Sequence, residues 1–122
     1  MTDARITDFL KKNKYPAHLV KEGRAGLLRR WKQFVADVEK GYTMTIEDYR
    51  NDLDVRAIIR RAGAEDAEIT ALDARFKRLL TGTKSRVWES DSDDDFWCFG
   101  YPKNAGEDLM DDLRREGIAK KK

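Results

Sequence analysis

The segment from residue 44 to residue 63 constrains the fold most, because it carries the signals of a complete α-helix at both ends. Thr45 is a favoured N-cap residue, and Asp48 stands three positions later, where a capping-box partner belongs. Gly63 supplies a left-handed stop after the last turn. Acidic residues fill the first two turns and two arginines the last turn, as the helix dipole favours. The sequence therefore predicts that the chain is organised around this helix.

Apolar side chains recur at helical spacing along most of the chain. The strongest stripe lies before residue 40 and consists of Leu27, Leu28, Trp31, Phe34, Val35 and Val38. Together with the segment above, these patterns predict helices over about residues 3–13, 16–39, 44–63, 65–81 and 104–117. The predicted fold class is mainly α, a bundle of about five helices in a single domain over residues 1–122.

The period changes near the C-terminus. Segments 86–89 and 96–101 are rich in aromatic and β-branched residues, and the polar run 90–95 separates them. This predicts one β-hairpin, roughly residues 85–101, packed on the helices because an isolated hairpin is marginal in water. Asn104 and Glu107 have capping-box spacing and should open the last helix. Residues 119–122 are predicted to form a frayed tail.

Composition restricts the class of protein. The chain has 122 residues, of which 40% are hydrophobic and 39% charged, so we expect one modest core under a dense ionic surface. The single cysteine, Cys98, cannot form a disulfide within the chain, which is typical of a reducing compartment. No apolar run approaches the roughly 20 residues that span a bilayer. These observations predict a cytoplasmic protein that does not enter a membrane.

Metal, cofactor and catalytic motifs are incomplete. The only histidine, His18, has one nearby carboxylate at helical spacing, and two ligands do not complete a zinc site. The acidic run 91–95 matches the first positions of a calcium loop, but Phe96 replaces its glycine and Pro102 its bidentate glutamate. We therefore expect no metal, no cofactor and no catalytic residue.

The acidic turn of the predicted hairpin carries the main functional hypothesis. Four aspartates lie within five positions, beside aromatic residues that could anchor a partner, and the predicted partner-binding residues are Asp91, Asp93, Asp94, Asp95 and Trp97. Such a surface would attract a basic protein by charge steering and aromatic contact. The sequence thus predicts a non-enzymatic protein-interaction module, although a polar turn that merely joins two strands has the same composition.

A basic face on the second helix supports the first alternative, nucleic-acid binding. Residues 1–41 contain ten basic and five acidic side chains, although the whole chain has a net charge of only +2. The predicted nucleic-acid-binding residues are Lys21, Arg24, Arg29, Arg30 and Lys32. They could contact phosphates, but the aromatic residues of this helix belong to the apolar stripe, so stacking platforms are missing.

Carboxylates on the third helix support the second alternative, an enzyme. Glu47 and Asp54 lie about two turns apart on one side, and Asp48 and Asp52 lie one turn apart on another. General acid–base chemistry needs such a carboxyl desolvated in a cleft. The structural interpretation is a surface network of ion pairs, with Asp52 and Arg56 as an i,i+4 pair. Asn51 and Asp54 lie beside core positions, and if they are buried they either fix the packing or begin a site.

Two segments resemble a known group of sequences. The run EDYRNDLDVR at residues 47–56, with YTMTI before it and LDARF at residues 72–76, resembles a segment of small uncharacterised bacterial helical proteins. The resemblance implies a bacterial origin and no particular activity.

Overall fold

The structure, a computed structural model, describes residues 3–83, 85–88 and 96–119. The helices are α1 (Asp3–Lys12), α2 (Ala17–Lys40), α3 (Ile46–Arg61), α4 (Ala67–Arg78) and α5 (Glu107–Arg115), and the strands are β1 (Leu80–Gly82) and β2 (Gly100–Pro102). The predicted fold class, a mainly helical bundle with a small antiparallel hairpin in the C-terminal region, is confirmed. No helix within the described ranges is long and apolar enough to cross a membrane.

The centre of the bundle is α2, and not α3, around which the sequence predicted that the chain is organised. Helix α2 packs against α1, α3 and α4, whereas α5 packs against α3. Helix α2 is kinked at Gly23, which has a φ of 60°, and its apolar stripe from Leu27 to Val38 lies in the longer part after the kink. Trp31 and Phe34 from this stripe meet Phe76 of α4, and Phe34 meets Tyr42 and Tyr49, with ring centroids 5.2–5.8 Å apart. The core is therefore an aromatic cluster built on α2.

Helix α3 has the ends that the sequence predicts. The Thr45 hydroxyl accepts a hydrogen bond from the Asp48 amide, and the Asp48 carboxylate accepts one from the Thr45 amide, each at 3.3 Å. Gly63 has a φ of 69°, the left-handed conformation of a helix stop. A second carboxylate, Asp112 of α5, accepts a hydrogen bond from the Ile46 amide at 3.1 Å. The N-terminus of α3 is thus capped by its own residues and by α5.

The strands lie at other positions than predicted. β1 pairs antiparallel with β2 in the register Leu80↔Pro102, Thr81↔Tyr101 and Gly82↔Gly100. Helix α4 ends at Arg78 rather than near residue 81, because the Leu79 carbonyl accepts a hydrogen bond from the Lys103 amide at 2.8 Å. Residues 86–88 form no strand, and Phe96–Phe99 form a 3₁₀ turn. Long-range pairing, rather than local β propensity, determines which residues become strands.

Two predictions about the C-terminal segment are wrong. The Asn104 side chain does not cap α5, because it donates a hydrogen bond to the Val38 carbonyl at the end of α2, at 2.8 Å. The N-cap of α5 is Gly106, which has no side chain to cap with. Ala119, predicted to begin the tail, is buried, and its amide donates to the Leu113 carbonyl at 3.1 Å. The remaining residues 120–122 lie outside the described part of the chain.

A buried arginine joins three helices. Arg56 of α3 is 3% exposed and binds Asp73 of α4 through Nε at 2.9 Å and Nη2 at 2.8 Å. Asp73 also accepts a hydrogen bond from Trp31 Nε1 of α2 at 3.1 Å. Arg56 forms a further ion pair with Glu65. The predicted Asp52–Arg56 pair is therefore wrong, because the guanidinium points into the bundle, where its Nε and Nη2 bind carboxylates and its Nη1 has no hydrogen-bond partner among the described residues.

Candidate functional site

A groove runs along the second half of α2, the connection 41–45 and the first half of α3. It consists of two adjoining hollows of about 310 Å³ and about 460 Å³, and Asp37 and Asp52 line both of them. The first hollow is also lined by Arg29, Arg30, Gln33 and Phe34, and the second by Lys40, Gly41, Tyr42, Thr43 and Met44. We call this feature the α2–α3 groove.

The wall formed by the connection 41–45 is held in place by the C-terminal segment. The Tyr42 carbonyl accepts a hydrogen bond from the Gly106 amide at 2.6 Å. Gly41 has a φ of 110°, which favours glycine because an L side chain is strained in that region. The Asn104 side chain fixes the end of α2 next to this turn. The groove is therefore part of the rigid scaffold, as a preformed binding site requires.

Asp52 is the most unusual group in the groove. Its carboxylate accepts a hydrogen bond from the Tyr42 hydroxyl at 2.7 Å, and its side chain is half-buried. Burial raises the pKa of the Asp52 carboxyl above its ordinary value, and the charges of Asp48 and Asp37 raise it further, against the opposing effect of the Tyr42 hydrogen bond. Burial, together with this carboxylate, also raises the pKa of Tyr42, so its hydroxyl stays protonated and donates.

The negative charge around Asp52 has no cationic partner within the described ranges. Asp37 accepts a hydrogen bond from Gln33 at 2.9 Å, and Asp48 accepts from Thr45, but neither they nor Asp52 form an ion pair there. The described residues also contain no group of three His, Cys, Asp or Glu side chains that could hold a metal ion. The groove is thus an acidic, partly desolvated surface whose charge is complementary to that of a cation.

Apolar surface adjoins these carboxylates. Met44 is 51% exposed, and it is the one large apolar side chain of the exposed class in the described part of the chain. Phe34, which is 3% exposed, lies at the bottom of the first hollow. An acidic groove beside an exposed methionine suits a lysine or arginine side chain, whose aliphatic stem can cover apolar surface while its charged end meets a carboxylate.

The predicted hairpin site is only partly described. Asp91, Asp93, Asp94 and Asp95 lie outside the described residues. Trp97 is 2% exposed, and its ring lies 4.9 Å from the Arg56 guanidinium, so it packs in the core on a buried cation. Its predicted contact with a partner stays a prediction.

The predicted basic face of α2 is largely paired within the chain. Arg24 forms an ion pair with Asp66, and Glu22 accepts hydrogen bonds from Arg29 at 2.5 Å and Arg30 at 2.8 Å. The bond from Arg30, aided by Arg29, lowers the pKa of the Glu22 carboxyl. Lys21 and Lys32 are exposed, and no ion pair involves them among the described residues. This pairing leaves less free positive charge for phosphates than the sequence suggests.

The remaining acidic residues of α3 do not converge on the groove. Glu47 is exposed, and Asp48 is occupied by the capping box. Asp54 is exposed and accepts a hydrogen bond from Trp88 Nε1 at 2.6 Å, which fixes the segment 86–88 against α3. Asn51 is also exposed. Asp54 therefore has a structural role. Within the described residues, Glu47 and Asp54 line no common cleft in which they could act as a catalytic pair.

Sequence reasoning missed Asp37, Tyr42 and Met44 as site residues. Asp37 lies on the polar side of α2, and nothing in its local pattern indicates that it faces Asp52 of another helix. The available signal was Tyr42-Thr43-Met44 after Gly41, a short non-helical run with two large side chains.

Comparison of the chain with protein-family models, with curated proteins and with solved structures found no match.

Proposed function

We propose that the protein is a non-enzymatic interaction module that binds a basic segment of a partner protein in the α2–α3 groove. The observation that carries the proposal is the pair of groove aspartates, Asp37 and Asp52, without an ion-pair partner in the described part of the chain. A half-buried carboxylate that lacks a cation gains most from acquiring one, because the local dielectric is lower than in water.

A side chain of a protein fits this groove better than a small cation does. The two hollows together extend along about three turns of α2, from Arg29 to Lys40, which is the reach of several residues of a partner. The rim residue Met44 adds apolar contact that an inorganic ion cannot use. Charge complementarity therefore favours a lysine or arginine side chain. The length of the groove leaves room for the residues that flank this side chain in the partner.

The acidic run 91–95 remains a predicted second surface for the same kind of partner. It carries the same sign of charge as the groove, so it would steer a basic protein in the same way. The experiment below separates the two, since its test variant removes charges from the groove and leaves the run 91–95 unchanged.

Hexalysine is a suitable probe, titrated into the ¹⁵N-labelled protein at low salt and followed by amide chemical shifts. Asp37→Asn with Asp52→Asn removes two charges from the groove, and Asp108→Asn with Asp111→Asn removes two charges from the exposed side of α5. We expect a roughly fivefold or greater loss of affinity for the groove variant and less than a twofold loss for the α5 variant. Equal losses, or shifts confined to residues far from the groove, would refute the proposal.

A further inference from the structure

Two arginines share the first hollow of the groove with the aspartates. Arg29 and Arg30 line it at one end, and Asp37 and Asp52 line it at the other. Arg30, Gln33 and Asp37 are spaced i, i+3 and i+7, so they lie along one side of α2. The side chains of Arg29 and Arg30 are 63% and 36% exposed, so both can reach a ligand in the groove.

We infer that the α2–α3 groove binds a segment with charges of both signs: a basic side chain against Asp37 and Asp52, and an acidic side chain against Arg29 and Arg30. The inference rests on the proposed function and specifies the partner further. A segment that is basic throughout would satisfy the carboxylates but would place a cation beside the two guanidinium groups. Like charges at such a contact are unfavourable. The groove therefore favours a basic side chain at one end and an acidic side chain at the other.

The spacing of the two charges on the partner follows from the helix. Seven to eight residues separate the arginines from Asp37, and at 1.5 Å per residue this is about 10–12 Å. An extended chain advances about 3.3 Å per residue and points alternate side chains to the same face, so four residues span about 13 Å with both side chains toward the groove. The expected pattern is therefore a lysine or arginine four positions from an aspartate or glutamate, in one of the two chain directions.

The ion pairs of Arg29 and Arg30 with Glu22 do not prevent this contact. They lie at the surface, where ion pairs contribute little to stability and exchange partners at small cost. Each guanidinium has five N–H donors, and the bonds recorded to Glu22 use one nitrogen of each arginine. An incoming carboxylate can join Glu22 on the arginines or replace it.

The test uses four short peptides with blocked ends. Two carry a lysine four positions before or after a glutamate, with serines between them, and their two partners carry glutamine in place of the glutamate. Their affinities for the 122-residue chain are measured by amide chemical shifts at low salt. We expect the glutamate to tighten binding about two- to fivefold over the matched glutamine peptide in one of the two orders.

Charge-matched variants locate the effect. Arg29→Gln with Arg30→Gln should abolish the gain from glutamate, and Lys21→Gln with Lys32→Gln, which removes the same charge from exposed positions outside the groove, should retain it. If glutamate gives no gain in either order, or if the gain survives loss of both arginines, the inference is wrong. Failure of the glutamine peptides and of hexalysine to bind would instead refute the proposed function.

Discussion

At the scale of single residues, two neighbouring tyrosines in the core have hydroxyl groups in opposite situations. The Tyr42 hydroxyl donates to Asp52 at 2.7 Å, whereas the Tyr49 hydroxyl is buried and has no hydrogen-bond partner among the described residues. Their rings are in edge contact, with centroids 5.6 Å apart. A bond to a charged group stabilises the native state, while a buried polar group without a partner costs its full desolvation.

We predict that the two Tyr→Phe substitutions change the free energy of unfolding by amounts that differ in sign or size. Tyr42→Phe should lower the free energy of unfolding by about 1–2 kcal/mol, because it removes the bond to Asp52. Tyr49→Phe should leave it unchanged or raise it, because it removes an unsatisfied hydroxyl at nearly constant volume. Urea unfolding of both variants and the wild type measures these changes. A larger loss for Tyr49→Phe than for Tyr42→Phe would contradict the hydrogen-bond assignment.

Asp52 should make stability depend on pH. Its pKa in the native state is raised above the ordinary value of 3.8, so protonation stabilises the native state. That contribution is fully present below the ordinary pKa and is lost as the pH rises through the raised native-state pKa. Asn at this position cannot ionise and still offers Tyr42 an acceptor.

We therefore predict that the free energy of unfolding of Asp52→Asn, relative to the wild type, increases as the pH rises from about 4 to about 7. Comparing the two proteins at each pH cancels the titration of other groups such as Glu22 and Glu39, whose pKa values are lowered by their arginine partners. Urea unfolding at several pH values supplies the measurement. A relative stability that is constant or falls over this range would show that burial of Asp52 has no such effect.

At the scale of elements, the contact between the α2–α3 connection and the start of α5 sets the shape of the groove. A Cβ added at Gly106 would lie 3.0 Å from the Tyr42 carbonyl oxygen. That oxygen belongs to the backbone, so it cannot move aside as a flexible side chain could. The close approach exists because the Gly106 amide donates to this same carbonyl.

We predict that Gly106→Ala lowers the free energy of unfolding by about 1–3 kcal/mol, because the backbones must separate. Gly82→Ala is the control, since its added Cβ would meet nothing within 4 Å and its φ is not positive. We expect a change within about 0.5 kcal/mol there. Loss of hexalysine binding in Gly106→Ala at a temperature where the variant is folded would further show that this contact shapes the groove. Equal stability of both variants would contradict the close approach.

Local signals predicted the helices well and the strands poorly, for a physical reason. The capping box of Thr45 and the stop at Gly63 depend only on neighbouring residues. The strands depend on which distant segments meet, and Leu80–Gly82 has no strand pattern of its own. Trp97 has strong β propensity, yet it is in a 3₁₀ turn because it packs on Arg56.

At the scale of the whole molecule, one buried cation connects the parts of the bundle. Arg56 contacts α4 through Asp73 and the 3₁₀ turn through Trp97, and Asp73 in turn contacts Trp31 of α2. The sequence could not predict these contacts. An arginine among the apolar residues of α3 is expected at the surface as long as the positions of the neighbouring helices are unknown. The α2–α3 groove was hidden for the same reason, since Asp37 and Asp52 meet only when α2 and α3 pack.

We predict that Arg56→Met lowers the free energy of unfolding by about 3–5 kcal/mol, because it leaves the Asp73 carboxylate without its cation. Arg115→Met is the control. Its arginine is 74% exposed and paired with Asp112 along α5, so the expected change is below about 1 kcal/mol. If Arg56→Met does not fold, Asp73→Asn should show a smaller loss of unfolding free energy. The loss is smaller because the side-chain carbonyl of the new asparagine still accepts the hydrogen bond from Trp31. Equal effects of the Arg56 and Arg115 substitutions would contradict a central role for Arg56.

The net charge of +2 hides an uneven surface: in the described part of the chain, Arg29 and Arg30 pair with Glu22, whereas the carboxylates of the groove have no ion-pair partner. The central claim is that Asp52 binds a basic side chain of a partner, and a double-mutant cycle tests it most directly. The affinity of wild type and Asp52→Asn is measured for a single-lysine peptide and for the same peptide with glutamine at that position. We predict a coupling free energy of about 0.5–1 kcal/mol between Asp52 and the lysine. Additivity within about 0.3 kcal/mol would show that the two groups do not meet, and would contradict the claim.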